Sequence, residues 1–337
     1  MEYMIETKNL TKKFEDLVAV DHINLEIKKG EIFGLLGPNG AGKTTTIHML
    51  TTLLRPTEGT ALVAGYDIRK NPEKVREKIG IVFQDVTVDR NLTGYENMWL
   101  HGKLYHIPKS ELKGLIKELL EFVELDQWAN VILRKYSGGM LRRLEIARGL
   151  LHHPEILFLD EPTLGLDPHS RAHIWEYILR VKKEKNMTIL LTTHYMDEAE
   201  RLCDRIAIID HGKIIALGTP DELKSMVGGD VIYITIERSD HRMKVLAEKI
   251  VESGISKNIK PVSPGVLAIT VNNVSEKIPL IFDVAQNNDI KIREVRYTRP
   301  TLDDVFLRLT GRKLRDEKGS WVDIARMRRQ IRMARRR

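Results

Sequence analysis

Residues 37–45 read Gly-Pro-Asn-Gly-Ala-Gly-Lys-Thr-Thr, directly behind the apolar stretch Ile32–Leu36. Glycines let such a loop curl until successive backbone N–H groups point inward, and a helix starting just after it adds the positive end of its dipole. Chemistry that needs many bare amides and one long-reaching cation is polyphosphate binding. The spacing from Gly37 to Thr44 is the full G-x-x-x-x-G-K-[ST] pattern. Lys43 is therefore expected to reach the β- and γ-phosphates of a nucleoside triphosphate, and the Thr44 hydroxyl to ligate Mg²⁺. The phosphate loop comprises Gly37, Pro38, Asn39, Gly40, Ala41, Gly42, Lys43, Thr44 and Thr45.

A second group of reactive residues closes the stretch ILFLDEP. Four apolar residues predict a buried strand with Asp160 and Glu161 at its C-terminal end, where ligands of open α/β sheets sit. Asp160 is placed to hold Mg²⁺ through water, and Glu161 to polarise an attacking water as general base. Between the two groups lies YSGGMLRRLEIARGL. Ser137 is a good helix N-cap, so Ser137, Gly138 and Gly139 expose a second set of helix-start amides. One nucleotide cannot readily occupy both ends within a chain. A head-to-tail pair of chains would bring each Ser-Gly-Gly end onto the partner's phosphate loop.

These residues need a scaffold, and the first 220 residues supply continuous apolar runs alternating with helical patterns: 32–36, 79–83, 156–160, 188–193 and 205–210. Runs without alternation predict strands buried on both faces, hence a mostly parallel sheet covered by helices. INLEIKKGEI reads instead as alternating strands around the Lys29-Gly30 turn, which predicts an antiparallel flank. From about 91 to 136 the strand signal gives way to a helical insertion. A break at Gly228-Gly229 ends a domain of residues 1–228. Residues 229–311 alternate strands and helices, enough for a small separate α/β domain. Its last helix is expected to start at a Thr301 cap and to present Leu302, Val305, Phe306 and Leu309 on one apolar face.

In combination and order these motifs resemble the ATP-binding-cassette (ABC) ATPases, across nearly the whole chain. That resemblance implies further assignments: Phe14 stacks on adenine, Gln84 touches Mg²⁺ and faces a transport partner, Asp167 lies in a Gly165-Leu166-Asp167 loop crossing a dimer interface, and His194 contacts the γ-phosphate. Taken singly, Phe14 reads as core, Gln84 as a solvated loop residue and His194 as a strand-end imidazole. Tyr136 and Met140 depart from the commonest signature motif, yet YSGGM and the ending RPTLDDVFLRLTG look like the daunorubicin-resistance-type exporter branch. The resemblance implies an ATP- and Mg²⁺-dependent ATPase that dimerises on ATP and docks, peripherally at the cytoplasmic membrane face, onto separately encoded membrane subunits.

Composition narrows the rivals. Hydrophobic residues at 42% and charged residues at 30% make an ordinary folded protein. Cys203 is the only cysteine, which excludes an internal disulfide. No apolar run reaches the roughly eighteen residues a membrane helix needs, and the N-terminus lacks the apolar core of a signal peptide. From Arg312 to Arg337, eleven Lys or Arg face three acids, a balance of +8 against +7 for the whole chain. The basicity thus belongs to the 312–337 tail, for which contact with anionic lipid is one reading and a solvated end the other. Residues 1–311 are nearly neutral, so nucleic acid is not an expected partner. A non-transport ABC ATPase acting on ribosomes or nucleic acid is the alternative. A GTPase or kinase is disfavoured because no Asn-Lys-x-Asp motif occurs.

Overall fold

The structure is a computed structural model describing residues 2–237 and 240–311, so the basic tail lies outside the described residues. The chain divides into two compact units, one running through Pro220 and one beginning at Asp221.

The first unit opens with β1 (Tyr3–Phe14), β2 (Leu17–Ile23), β3 (Glu26–Lys28), β4 (Ile32–Leu36) and α1 (Lys43–Leu50). β5 (Glu58–Val63), β6 (Tyr66–Asp67), α2 (Pro72–Lys78) and β7 (Ile79–Val82) then lead into the helical insertion, α3 (Gly94–Leu104) and α4 (Lys109–Phe122). After it come α5 (Gly138–Leu150), β8 (Ile156–Asp160), α6 (Pro168–Lys185), β9 (Thr188–Thr193), α7 (Met196–Leu202), β10 (Arg205–Asp210) and β11 (Lys213–Gly218), with α8 (Pro220–Ser225) at the boundary. A six-stranded sheet has the order β11-β10-β4-β9-β8-β7, and all its ladders are parallel except β10 with β11. Every residue of β4, β8 and β9 is buried, as continuous apolar runs demand of strands covered on both faces.

β1, β2, β3, β5 and β6 form a separate antiparallel sheet. The antiparallel flank is therefore present, but the Lys29-Gly30 turn does not close a hairpin. β3 pairs with β1 while β4 pairs with β9 and β10. The burial of all five β4 residues places that strand in the other sheet, and alternation read across the turn cannot register this. One core joins both sheets: Ile5, Leu10 and Val63 from the antiparallel one, Phe33, Phe158 and Leu190 from the parallel one, with Ile47 and Leu50 of α1.

The second unit contains β12 (Asp230–Ile236), α9 (Asp240–Glu252), β13 (Ile259–Ser263), β14 (Val266–Val271), α10 (Val274–Asn287), β15 (Ile292–Thr298) and α11 (Leu302–Thr310). Its sheet, β13-β14-β12-β15, is antiparallel throughout. Burial alternates along β12, and Ile232 and Ile234 share a core with Leu246 of α9 and Ile281 of α10. Thr301 caps α11 in a full capping box with Asp304. Leu302, Val305 and Phe306 are buried, but Leu309 is 41% exposed. It lies in the last turn of the helix, one turn beyond Val305 and Phe306, so the buried apolar face is shorter than the spacing predicted.

Candidate nucleotide site

Parallel strands put all their C-terminal ends on one sheet edge, which is what assembles this site. β4 ends in the phosphate loop, β8 in Asp160 and Glu161, and β9 in Thr193 followed by His194. β9 lies between the other two, with Leu36 aligned to Thr193 and Asp160 aligned to Thr192.

Glycine is required in the loop by space as well as by torsion. A Cβ at Gly37 would lie 2.2 Å from the Ile209 carbonyl oxygen, and one at Gly42 2.4 Å from that of Ala19. Gly42 has φ of 105° and caps α1 without any side-chain hydrogen bond, so the first amides of α1 are left to the loop and its ligand. Lys43 is 4% exposed. Its Nζ donates to the Gly37 and Pro38 carbonyls at 2.7 and 3.0 Å and sits 3.3 Å from Glu161 Oε1. Burial pushes this ammonium down from its ordinary pKa, and the Glu161 charge opposes that shift.

Glu161 has φ of 47°, a left-handed conformation that is costly for a residue with a Cβ. Its N–H donates to the Thr192 hydroxyl at 3.0 Å and the Thr192 carbonyl at 3.2 Å, which holds the turn off the end of β8. The carboxylate lies between two cationic or potentially cationic groups, since Oε2 is 3.3 Å from His194 Nδ1. Burial alone would raise its pKa, but His194 and Lys43 outweigh it and hold the carboxyl below its ordinary value. Asp160 shows the opposite balance: burial pushes it up, against hydroxyls donating from Thr192 at 2.6 Å and Thr44 at 3.1 Å. Burial and local partners thus shift the two adjacent acids in opposite directions.

Lys43, Thr44, Asp160, Glu161 and His194 therefore come together through direct contacts. Other expected site residues have local partners. Phe14 ends β1 with 9% exposure and carries Lys12 Nζ 5.0 Å from its ring centre. Ser137 caps α5, its Oγ accepting from the Met140 N–H at 3.2 Å. Asp167 caps α6, accepting from the N–H and Oγ of Ser170 at 3.0 and 2.6 Å. A Cβ on Gly138 would lie 3.2 Å from Leu166 and one on Gly139 3.2 Å from Ser170 Oγ, so Gly138 packs against the Gly165–Asp167 segment and Gly139 against the first turn of α6 in their own chain.

Gln84 lies two residues beyond β7, and its carbonyl accepts from Arg142 at 2.9 Å. Arg142 is a residue that motif reading passed over. Its guanidinium, 5% exposed, also donates to the Phe83 carbonyl at 2.5 Å and to Glu145 at 3.2 Å. Glu145 in turn accepts from the Thr87 N–H at 2.7 Å. The helix that begins at Ser137 thus grips the loop carrying Gln84 through one buried ion pair. An Arg and a Glu three apart on an otherwise apolar helix face was the available signal. Thr192 was missed as well, as was Glu198 on α7. Glu198 is fully buried and accepts from Thr163 Oγ1 at 2.7 Å and Trp175 Nε1 at 2.9 Å, tying the element after His194 to the turn after Glu161.

Known proteins share this sequence and fold. Residues 20–164 match the ABC transporter family, and residues 218–310 match the C-terminal domain of DrrA1-3-like ATP-binding proteins. The daunorubicin/doxorubicin resistance ATP-binding protein DrrA of Streptomyces peucetius is 40% identical over 308 residues, covering 91% of this chain and 92% of that protein. The chain belongs to the ABC transporter ATP-binding family. A linearmycin resistance ATP-binding protein of Bacillus subtilis is 38% identical and is covered over its full length by 93% of this chain. Among solved structures, cbiO1 from Clostridium perfringens, part of an ABC transporter complex, superposes with a TM-score of 0.63 at 30% identity over 67% of this chain and 92% of its own. A dimeric cassette caught after hydrolysis with ADP and phosphate, MJ0796, gives a TM-score of 0.58 at 29% identity over 64% of this chain and 98% of its own. The chain is accordingly an ATP-binding ATPase of the ABC type.

Proposed function

We propose that this chain is the ATP-hydrolysing subunit of an exporter for drugs or other lipophilic compounds, working as a homodimer peripheral to the cytoplasmic membrane face. The single observation that carries the catalytic part is the Glu161 carboxylate, 3.3 Å from both Lys43 Nζ and His194 Nδ1. A γ-phosphate reaching this edge would draw Lys43 away from Glu161. The carboxylate, freed from that ion pair, then takes a proton from the attacking water. His194 is assigned to the γ-phosphate and Phe14 to the adenine ring.

The donor set suits Mg²⁺: a hydroxyl and a carboxylate oxygen 3.1 Å apart, to which the family resemblance adds Gln84 as a further oxygen donor. Thr44, Asp160 and Gln84 would hold the ion, whose chemistry is neutralisation of developing phosphate charge. Ser137, Gly138 and Gly139 of a second copy would supply the remaining amides and Asp167 would line the same interface, so ATP favours closure and loss of phosphate releases it. In this reading residues 1–228 form the motor, 229–311 an accessory domain and 312–337 a basic extension.

Separate membrane subunits are proposed because, among the described residues, no helix is long and apolar enough to cross a membrane. Val86 beyond Gln84 and Leu100 and Leu104 of α3 are 38%, 52% and 69% exposed, an apolar surface suited to a membrane-embedded partner. A cleft of about 330 Å³ lies between that insertion, which contributes Tyr105, Ile107 and Leu115, and Glu77, His152 and His153 outside it. Purification in detergent with an adjacent-frame membrane protein tests the assembly. Co-elution with that protein and drug-dependent ATP turnover are expected. Elution with ribosomes or RNA instead would establish the non-transport alternative.

A further inference from the structure

We propose that His169 and His173 form a chelating site for one divalent transition-metal ion, of the Zn²⁺, Ni²⁺ or Cu²⁺ class, on the exposed face of α6. The residues are one helical turn apart, both exposed, while Ile174, Trp175 and Ile178 bury the opposite face. Their Nε2 atoms are 3.1 Å apart, a hydrogen bond in which one imidazole N–H donates to the other's lone pair, and closer than the ring centres at 4.5 Å, so both nitrogens occupy the facing edges and a metal ion would take the place of the shared proton. With nitrogen–metal bonds of about 2.05 Å, that separation corresponds to an angle of roughly 98° at the ion, between octahedral and tetrahedral values. Imidazole pairs at this spacing suit Zn, Ni and Cu, whereas Mg²⁺ and Ca²⁺ prefer oxygen.

The neighbouring side chain favours the ligating tautomer. Glu176 Oε2 is 3.7 Å from His173 Nδ1, on the side of the ring away from His169. With a proton on Nδ1 the His173 Nε2 accepts from the His169 Nε2–H, and metal binding would release that one proton while the carboxylate stays behind the ring, as carboxylates do behind metal-bound histidines. Among the described residues no set of three or more His, Cys, Asp or Glu is grouped to hold a metal. Water therefore completes the coordination shell, and the site is an exchangeable clip rather than a closed structural centre. Its effect falls on the first two turns of α6, the helix that Asp167 caps. A bound ion joins the two turns through side chains and stiffens the helix entry behind the Gly165–Asp167 segment.

The test uses the untagged full chain, free of nucleotide and Mg²⁺, titrated calorimetrically with NiCl₂ and ZnCl₂ and followed by Cu²⁺ electron paramagnetic resonance. The wild type should bind one ion in its tightest step, with hyperfine structure from two nitrogens. Either His169→Gln or His173→Gln should weaken that step by about a hundredfold, the gain that joining two ligands on one scaffold supplies. Glu176→Gln should weaken it by about tenfold. Glutamine preserves helix propensity at these exposed positions, and melting in EDTA checks the fold. Nickel should raise the wild-type melting temperature and leave that of the double Gln variant unchanged. No uptake by the wild type, or a double variant that titrates as the wild type does, overturns the proposal.

Discussion

The starts of α1 and α5 are both helix ends rich in glycine, yet they are finished differently. Gly42, left-handed and without a side chain, leaves the α1 amides uncapped, and buried Lys43, Asp160 and Glu161 with half-buried Thr44 surround that end with charge and a hydroxyl. At α5 the Ser137 hydroxyl satisfies the Met140 N–H itself, and the flanking residues are exposed or half-buried. One end is surrounded by side chains from three strand ends of a single chain; the other is a self-capped helix start. The difference teaches that preorganisation of the first end belongs to the sheet edge, whereas the proposed role of the second depends on a partner copy.

The largest test of that contrast is Glu161→Gln. Removing the general base should lower ATP turnover by about 10³-fold while nucleotide binding, measured with a fluorescent ATP analogue, persists. Turnover at the wild-type level would show that the base has been misassigned. Next, Lys43→Ala strips the first end of its cation and leaves Glu161 without its ammonium partner. Binding itself should weaken by about a hundredfold, consistent with loss of charge-assisted hydrogen bonds. Ser137→Ala sharpens the comparison from the other side. It should cost about 1 kcal/mol in stability by removing a helix cap, and should lower turnover while leaving the affinity of a single subunit for ATP unchanged. Equal losses of single-subunit affinity in Ser137→Ala and Lys43→Ala would erase the distinction between the two ends.

The smallest effect is on pH dependence. Burial would raise the Glu161 carboxyl, but the His194 imidazole 3.3 Å away and the Lys43 charge hold it below its ordinary value of 4.5. Its ionised form therefore contributes stability above about pH 4.5 that is lost as pH falls through the lower folded-state value. The acid limb of the rate profile should likewise lie below that ordinary value. His194→Gln removes the leading depressing cause, so the limb should move toward higher pH, whatever the change in maximal rate. A pH–rate series on both proteins checks the direction of this shift.

Much of the phosphate edge was legible because the strands that carry it are continuous apolar runs ending in short, unusual residue strings. Ile156–Leu159 could hardly be anything but a buried strand, and Asp160-Glu161 had to fall at its end. Arg142 and Glu145 were not legible in the same way, since their partners Phe83, Gln84 and Thr87 are about sixty residues away in sequence. Thr192 was hidden for a similar reason: a hydroxyl in a β-rich run looks like ordinary strand composition until the neighbouring strand is known. The Lys29-Gly30 turn misled because local alternation does not record which sheet each flanking strand joins.

By itself the sequence determined the parallel α/β class, the phosphate loop and the order of the motifs, because hydrophobic period, glycine torsion and helix capping act within a few residues. Tertiary structure alone decided that β9 lies between β4 and β8, that the Glu161 carboxylate is shared by Lys43 and His194, and that β3 and β4 part into different sheets. Those outcomes depend on strand order and on burial between distant segments, where desolvation and long-range pairing outweigh any preference a short stretch can express.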